Sequence, residues 1–238
     1  MRNIVSIIVS FILTFNLYPQ QQSNWQNFAD MKSTKDIIST NKGIWAASNG
    51  GAYFYDILTN SFKIFSKSSG LNGTELTAVG IDSYGKVWFG SVNGMIDVYS
   101  PETNSFKSIL DIFNSDKISK QINDITISGD TVYVATDFGI SLIDSKSYFF
   151  YDTYFKFGTF TSNIKVNSII VSDLIYAATE SGIAIQKADA TNLSAPESWN
   201  VYDQTNGLPA GGGNVIIFFN GNLIAGTNSG LYSFNGTS

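Results

Sequence analysis

Trp45-Ala46-Ala47-Ser48-Asn49-Gly50-Gly51 returns as Trp88-Phe89-Gly90-Ser91-Val92-Asn93-Gly94 and again as Tyr133-Val134-Ala135-Thr136-Asp137-Phe138-Gly139. Two more copies follow, Tyr176-Ala177-Ala178-Thr179-Glu180-Ser181-Gly182 and Ile224-Ala225-Gly226-Thr227-Asn228-Ser229-Gly230. Each copy is a large apolar residue, any residue, a small one, Ser or Thr, two of any kind and Gly. The closing glycines stand 43, 45, 43 and 48 residues apart. A period in the forties with β-type composition belongs to a propeller blade, whereas helical repeats would show long stripes at the helical period.

The surroundings of each copy repeat as well. An apolar strand precedes it: Ile37-Ile38, Leu76 to Ile81, Ile122 to Ile127, Val166 to Val171 and Val215 to Phe219. Tight turns rich in Asn, Asp and Gly join that strand to the repeated unit, with Ser172-Asp173 the least typical. A third strand runs on from the closing glycine. A fourth carries an aromatic-x-x-apolar signature at Phe62-x-x-Phe65, Phe106-x-x-Ile109, Tyr148-x-x-Tyr151 and Trp199-x-x-Tyr202. Four antiparallel strands per repeat predict an all-β propeller with blades at about 34–66, 75–110, 121–155, 165–203 and 212–238. No blade can cover both its faces alone, so stability must come from stacking. The small residues Ala47, Gly90, Ala135, Ala178 and Gly226 are expected where neighbouring backbones approach.

The hydroxyls at Ser48, Ser91, Thr136, Thr179 and Thr227 admit two readings, a ring of ligand-binding groups or local satisfaction of backbone at a strand end. The second is preferred. At the chain ends, the fifth repeat stops at Phe234-Asn235-Gly236-Thr237-Ser238 before any fourth strand, while Trp25-Gln26-Asn27-Phe28 carries a fourth-strand signature with no blade before it. Either one terminus completes the other's blade, giving a closed five-bladed ring, or the chain is the first part of a larger propeller. The sequence is read as the larger propeller.

Residues 1–21 read as an export signal. Met1-Arg2-Asn3 precedes an apolar run from Ile4 to Leu17, and Tyr18-Pro19 closes it. Such a run makes a helix of about 21 Å, short of the roughly 30 Å hydrocarbon core. A cleaved secretory signal fits better than an anchor or a buried helix, with the cut around residues 19–22. After cleavage nothing remaining is expected to span a membrane.

Composition closes off much chemistry. The 238 residues carry 14 Lys and Arg against 19 Asp and Glu, a net charge of −5, which argues against nucleic acid as a partner. There is no Cys and no His, so thiolate chemistry, disulfides and the usual general base are excluded. Arg2 is the only Arg, and its removal with the signal leaves anionic ligands to Lys and backbone N–H groups. No P-loop, dinucleotide fingerprint, EF-hand or zinc spacing occurs, so no cofactor, metal or catalytic residue is assigned.

A polysaccharide-active enzyme would need two carboxylates about 5–10 Å apart. Asp56, Asp97, Asp144 and Asp203 are available, and their places near strand ends favour turn or edge roles. Asp189-Ala190-Thr191-Asn192 could suggest Ca²⁺ but reads as a turn. Tyr148-Phe149-Phe150-Tyr151 with Tyr154 and Phe155 is either a stacking platform for carbohydrate or protein, or packing between outer strands, and packing is preferred. Ala210-Gly211-Gly212-Gly213 reads as a flexible connection in preference to a ligand loop.

In the second blade, Ser69-Gly70-Leu71, Val79, Ile81-Asp82, Gly85-Lys86-Val87-Trp88-Phe89-Gly90-Ser91 and Gly94 resemble the two-component-regulator propeller repeat, and Gly207-Leu208-Pro209 echoes its opening phrase. Ile122-Asn123-Asp124-Ile125, Tyr133 to Ile140, Tyr151-Asp152-Thr153-Tyr154, Tyr176 to Ile183 and the opening Trp25-x-x-Phe28 resemble the PorZ family of the type IX secretion attachment complex. The resemblance implies export, residence at the outer-membrane cell surface beside the sortase and its partners, no chemistry of its own, and binding of anionic lipopolysaccharide. It implies no residue-level site. The same repeat also serves as the extracytoplasmic sensor of hybrid histidine kinases, which is the alternative function.

Overall fold

The computed structural model describes residues 31–234. The expected signal, the Trp25-x-x-Phe28 segment and the last four residues lie outside the described residues. Among the described residues nineteen strands form five antiparallel sheets. The first holds β1 (Thr34–Ser39), β2 (Gly43–Ser48), β3 (Gly51–Asp56) and β4 (Ser61–Phe65). The second holds β5 (Leu76–Ile81), β6 (Val87–Ser91), β7 (Ile96–Ser100) and β8 (Ser105–Ile109). The third holds β9 (Ile122–Ser128), β10 (Thr131–Thr136), β11 (Gly139–Asp144) and β12 (Phe150–Tyr154). The fourth holds β13 (Val166–Val171), β14 (Ile175–Thr179), β15 (Gly182–Gln186) and β16 (Trp199–Tyr202). The fifth has three strands, β17 (Val215–Phe219), β18 (Asn222–Thr227) and β19 (Gly230–Phe234).

Strand order in every sheet follows the chain, and first strands of successive sheets lie side by side: β1 by β5, β5 by β9, β9 by β13 and β13 by β17. This is the expected wedge arrangement around a common centre. The repeated unit is the second strand and the turn after it, as the periodicity predicts. One boundary differs: β12 begins at Phe150, and Tyr148 sits in the preceding turn with φ 64°. Asn60 and Asn104 hold the matching turns of the first two sheets, with φ 52° and 48°. The aromatic signature is therefore displaced by two residues in the third blade.

The core is divided among the interfaces between sheets. Trp45, Phe54 and Phe65 of the first sheet meet Val79, Phe89 and Tyr99 of the second, with Phe65 and Tyr99 ring centroids 4.7 Å apart. Trp88, Val98 and Ile109 meet Ile122, Ile125 and Val134 of the third sheet. Ala135, Ile140 and Tyr154 meet Val166, Ile169 and Ala177 of the fourth. Ala178, Ile183 and Ile185 meet Ile216, Leu223 and Ala225 of the fifth. Second strands lie between two strands and two sheets, so β6 is buried throughout.

Lateral contact also explains the glycine at the small position of β6. A Cβ on Gly90 would stand 2.3 Å from Ile122 Cγ2 and 2.8 Å from Ile122 Cβ. The close neighbour is a side chain of the next blade, not its backbone. Gly212-Gly213 is likewise a packed joint and not a flexible connection. The Gly213 N–H donates to Thr179 O at 2.9 Å, its carbonyl accepts from Asn167 Nδ2 at 2.8 Å, and a Cβ on Gly212 (φ 65°) would lie 2.2 Å from Thr179 O.

Gly90→Ala should therefore lower unfolding stability by about 1–3 kcal/mol through overpacking against Ile122. Denaturant titration of the wild type and variant measures it, and an unchanged midpoint would contradict the packing described.

Candidate functional site

The hydroxyl ring resolves first. Ser48 Oγ donates to Gly51 O at 2.7 Å, Ser91 Oγ to Met95 O at 2.8 Å, and Thr136 Oγ1 to Gly139 O at 2.9 Å. Thr179 Oγ1 donates to Gly182 O at 2.9 Å and Thr227 Oγ1 to Gly230 O at 3.0 Å. Each hydroxyl closes its own turn, the local role preferred from sequence. Thr136→Ala should cost about 1 kcal/mol, since the Gly139 carbonyl and Phe138 N–H lose a partner. Thermal unfolding reads this out.

Three of the four candidate carboxylates are also held locally, each by its own turn. Asp56 accepts from Leu58 N–H at 2.8 Å and Thr59 N–H at 3.1 Å. Asp144 accepts from Ser147 Oγ at 2.6 Å and Ser147 N–H at 2.7 Å, and Asp203 from Thr205 Oγ1 at 2.7 Å and Thr205 N–H at 2.8 Å. These hydrogen bonds favour the anion and hold all three below the usual carboxylate range. Asp97 differs from expectation because it is mid-strand and buried. It accepts from Asn72 N–H at 3.0 Å and Gly73 N–H at 2.7 Å, fastening the loop between the first two sheets. Asp82 accepts from Trp88 Nε1 at 2.9 Å and fixes that indole.

Half of the aromatic cluster packs. Tyr148 and Phe150 rest on the interface of the second and third sheets, and Tyr154 lies 5.9 Å from Trp199. Phe149, Tyr151 and Phe155 are exposed. Tyr148 sits under Lys107 Nζ at 4.3 Å and Lys86 Nζ at 4.8 Å. Lys107 repeats the place of Lys63, whose Nζ donates to Tyr99 Oη at 3.0 Å across the preceding interface. Both lysines thus clamp one blade to the next. Asn192 Oδ1 accepts from Ser194 N–H at 3.2 Å, which supports a turn there, and no acid cluster suited to a metal occurs among the described residues.

The polar groups that do converge lie at the centre. Lys35, Glu75, Thr77, Gln121 and Asn123 line a cleft of about 420 Å³ with the turn residues Asn49 and Val92. They enter it because first strands are innermost. Neighbouring Asp137 accepts from Asn123 Nδ2 at 3.0 Å and pairs with Lys165 Nζ at 3.6 Å. The cleft offers donors and acceptors of both charges, suited to hydrogen-bonding a polar ligand, and Lys35 is the cation that lines it.

Below this mouth the first strands are stitched together. Thr77 Oγ1 donates to Ile122 O at 2.5 Å, Asn123 Nδ2 to Val166 O at 2.8 Å, and Thr126 Oγ1 to Ile169 O at 2.9 Å. Asp36 Oδ2 accepts from Val79 N–H and Asp124 Oδ2 from Ile169 N–H, both at 2.8 Å. These acids were missed by sequence reasoning. Their signal was a charge inside an apolar strand, at the register place of Ala78, Ser168 and Val215 in the other sheets. Burial raises both above the usual range, and Asp124 reaches about 6, with the Asp36 charge contributing.

Because Asp124 holds its proton more tightly folded than unfolded, its contribution falls as pH rises from about 4 to 6, since the native state then binds more protons. Asp124→Asn retains an acceptor for Ile169 N–H without the charge. It should flatten the stability–pH curve over that window, measured by denaturant titration at stepped pH.

Successive four-stranded wedges around a polar centre define a β-propeller. The sequence profile of the type IX secretion system PorZ N-terminal β-propeller domain matches residues 44–200, and the chain belongs to that family. Among solved structures, PorZ of Porphyromonas gingivalis aligns at TM-score 0.69 and 23% identity, covering 85% of this chain and 26% of that one. That protein is described as an essential bacterial surface component of the type IX secretion system. The extracellular domain assigned to a hybrid two-component system of B. thetaiotaomicron aligns at TM-score 0.69 and 16% identity, covering 84% and 26%. A second such domain from that organism aligns at 0.65 and 20% identity, covering 83% and 26%. These likenesses are of fold, and the chain spans about a quarter of the matched chains' length. No curated protein matches.

Proposed function

We propose that this chain is a non-catalytic binding and scaffold domain of the type IX secretion apparatus, exported by its N-terminal signal to the outer-membrane cell surface. Its partners in this reading are the sortase attachment complex and anionic lipopolysaccharide. The observation that carries the reading is the family match over residues 44–200. Two features of the chain support it. The acids available for glycan chemistry are held by neighbouring N–H groups, and the converging polar groups suit recognition by hydrogen bonds. Anionic sugars would be met by lysine and backbone N–H groups.

Affinity purification of the tagged protein from envelope extract should recover sortase-complex components, and immobilised anionic lipopolysaccharide should retain the protein. Recovery of neither would overturn the proposal. The sensor reading is favoured by the likeness to extracellular domains of two-component systems. A membrane helix and kinase domain encoded beyond codon 238 would establish it in place of the secretion role.

A further inference from the structure

The first and second interfaces between sheets share one register, yet a cavity opens in the first where the second is filled. Trp45 stands opposite Phe54 and Phe54 opposite Lys63, as Trp88 stands opposite Val98 and Val98 opposite Lys107 one blade later. At the second interface the third sheet lays Tyr148, from its β11–β12 turn, onto this row. The Tyr148 ring centroid lies 5.6 Å from that of Trp88, 4.3 Å from Lys107 Nζ and 4.8 Å from Lys86 Nζ. Trp88 beneath it is 0% exposed, whereas Trp45 is 7% exposed. A phenol ring held on a tryptophan between two lysines is therefore a contact this fold already makes.

Three replacements remove that filling from the first interface. Asn104 holds the place of Tyr148, with φ 48° against 64°, and its short side chain accepts from Lys63 Nζ at 2.7 Å and Tyr99 Oη at 2.8 Å. Gly43 holds the place of Lys86, two residues before the tryptophan, and so brings no side chain over it. Thr40 holds the place of Asp82. Asp82 accepts from the Trp88 indole N–H at 2.9 Å, but the Thr40 hydroxyl donates to Gly43 O at 3.0 Å and accepts from the Lys42 and Gly43 N–H groups. Leu193 O takes the Trp199 indole N–H at 2.9 Å, while no acceptor meets that of Trp45 among the described residues.

The result is a cavity of about 360 Å³ lined by Trp45, Phe54, Asp56, Lys63, Tyr99 and Pro101, among others. Tyr99 forms its inner wall, packed 4.7 Å from Phe65 with its hydroxyl engaged by Lys63 and Asn104. Asp56 is fixed there by the Leu58 and Thr59 N–H groups. We propose that this cavity binds a tyrosyl side chain presented by a partner protein, the ring taking the place that Tyr148 takes in the next interface. A phenol hydroxyl matches the lining, since it can both donate to a carboxylate and accept from an indole N–H or an ammonium. The Asp56 charge disfavours an anionic sugar in the same space. Such a site stands whether or not the chain serves secretion.

The probe is N-acetyl-L-tyrosinamide, added to the full-length protein and followed by saturation-transfer NMR of its ring protons. Transfer should be saturable and should fall at least about fivefold in Asn104→Tyr, whose own ring closes the cavity as Tyr148 closes its counterpart. Trp45→Phe keeps an aromatic floor without the N–H and should weaken binding at least about twofold. Undiminished transfer in folded Asn104→Tyr, or in Trp45→Phe where Asn104→Tyr does not fold, overturns the proposal. So does the absence of transfer in the wild type. Transfer to methyl glucoside that Asn104→Tyr abolishes, with none to N-acetyl-L-tyrosinamide, overturns it in favour of a glycan site.

Discussion

Face-to-face packing of one sheet on the next is the constraint on which this structure depends. Each interface has its own apolar cluster, and no cluster serves more than two neighbouring sheets. A blade removed from the stack would expose both faces, so stability is distributed as nearest-neighbour contacts. The same constraint sets the residue types. Aromatic rings such as Trp45, Phe65 and Tyr99 fill the first interface. Near the axis, where Ile122 of one blade leaves no room, the repeat falls to Gly90.

Polar chemistry is subordinate to that packing. The carboxylates a reader would first suspect of catalysis organise turns or fasten loops, and the repeated hydroxyls close turns. Asp36 and Asp124 are more costly, because a carboxylate buried among first strands is favourable only if N–H donors meet it. Here the donor comes from the next blade in each case, so the acids couple neighbouring sheets and carry the clearest pH sensitivity described. The mouth above them is where unlike polar groups converge, a consequence of every sheet turning its first strand inward.

The four-strand grammar and the turn role of the Ser and Thr hydroxyls were legible from residue order, because both follow from short-range spacing at a fixed period. The place of Tyr148 was not. Its turn takes Asn in the first two sheets, and a tyrosine there reads as the start of a strand until its contact with Lys107 and Trp88 is known. Gly211 to Gly213 misled for a similar reason, since glycine signals freedom in a flexible chain and close approach in a packed one, and the carbonyl of Thr179 decides which.

Sequence alone determined the architecture, the unit length and the exclusion of thiol and imidazole chemistry, since period and composition are properties of the chain itself. Tertiary structure decided which side of each strand meets which neighbour, and that two acids bridge blades. Those outcomes depend on atoms about one repeat apart in sequence, brought within hydrogen-bond or van der Waals reach only when the sheets stack.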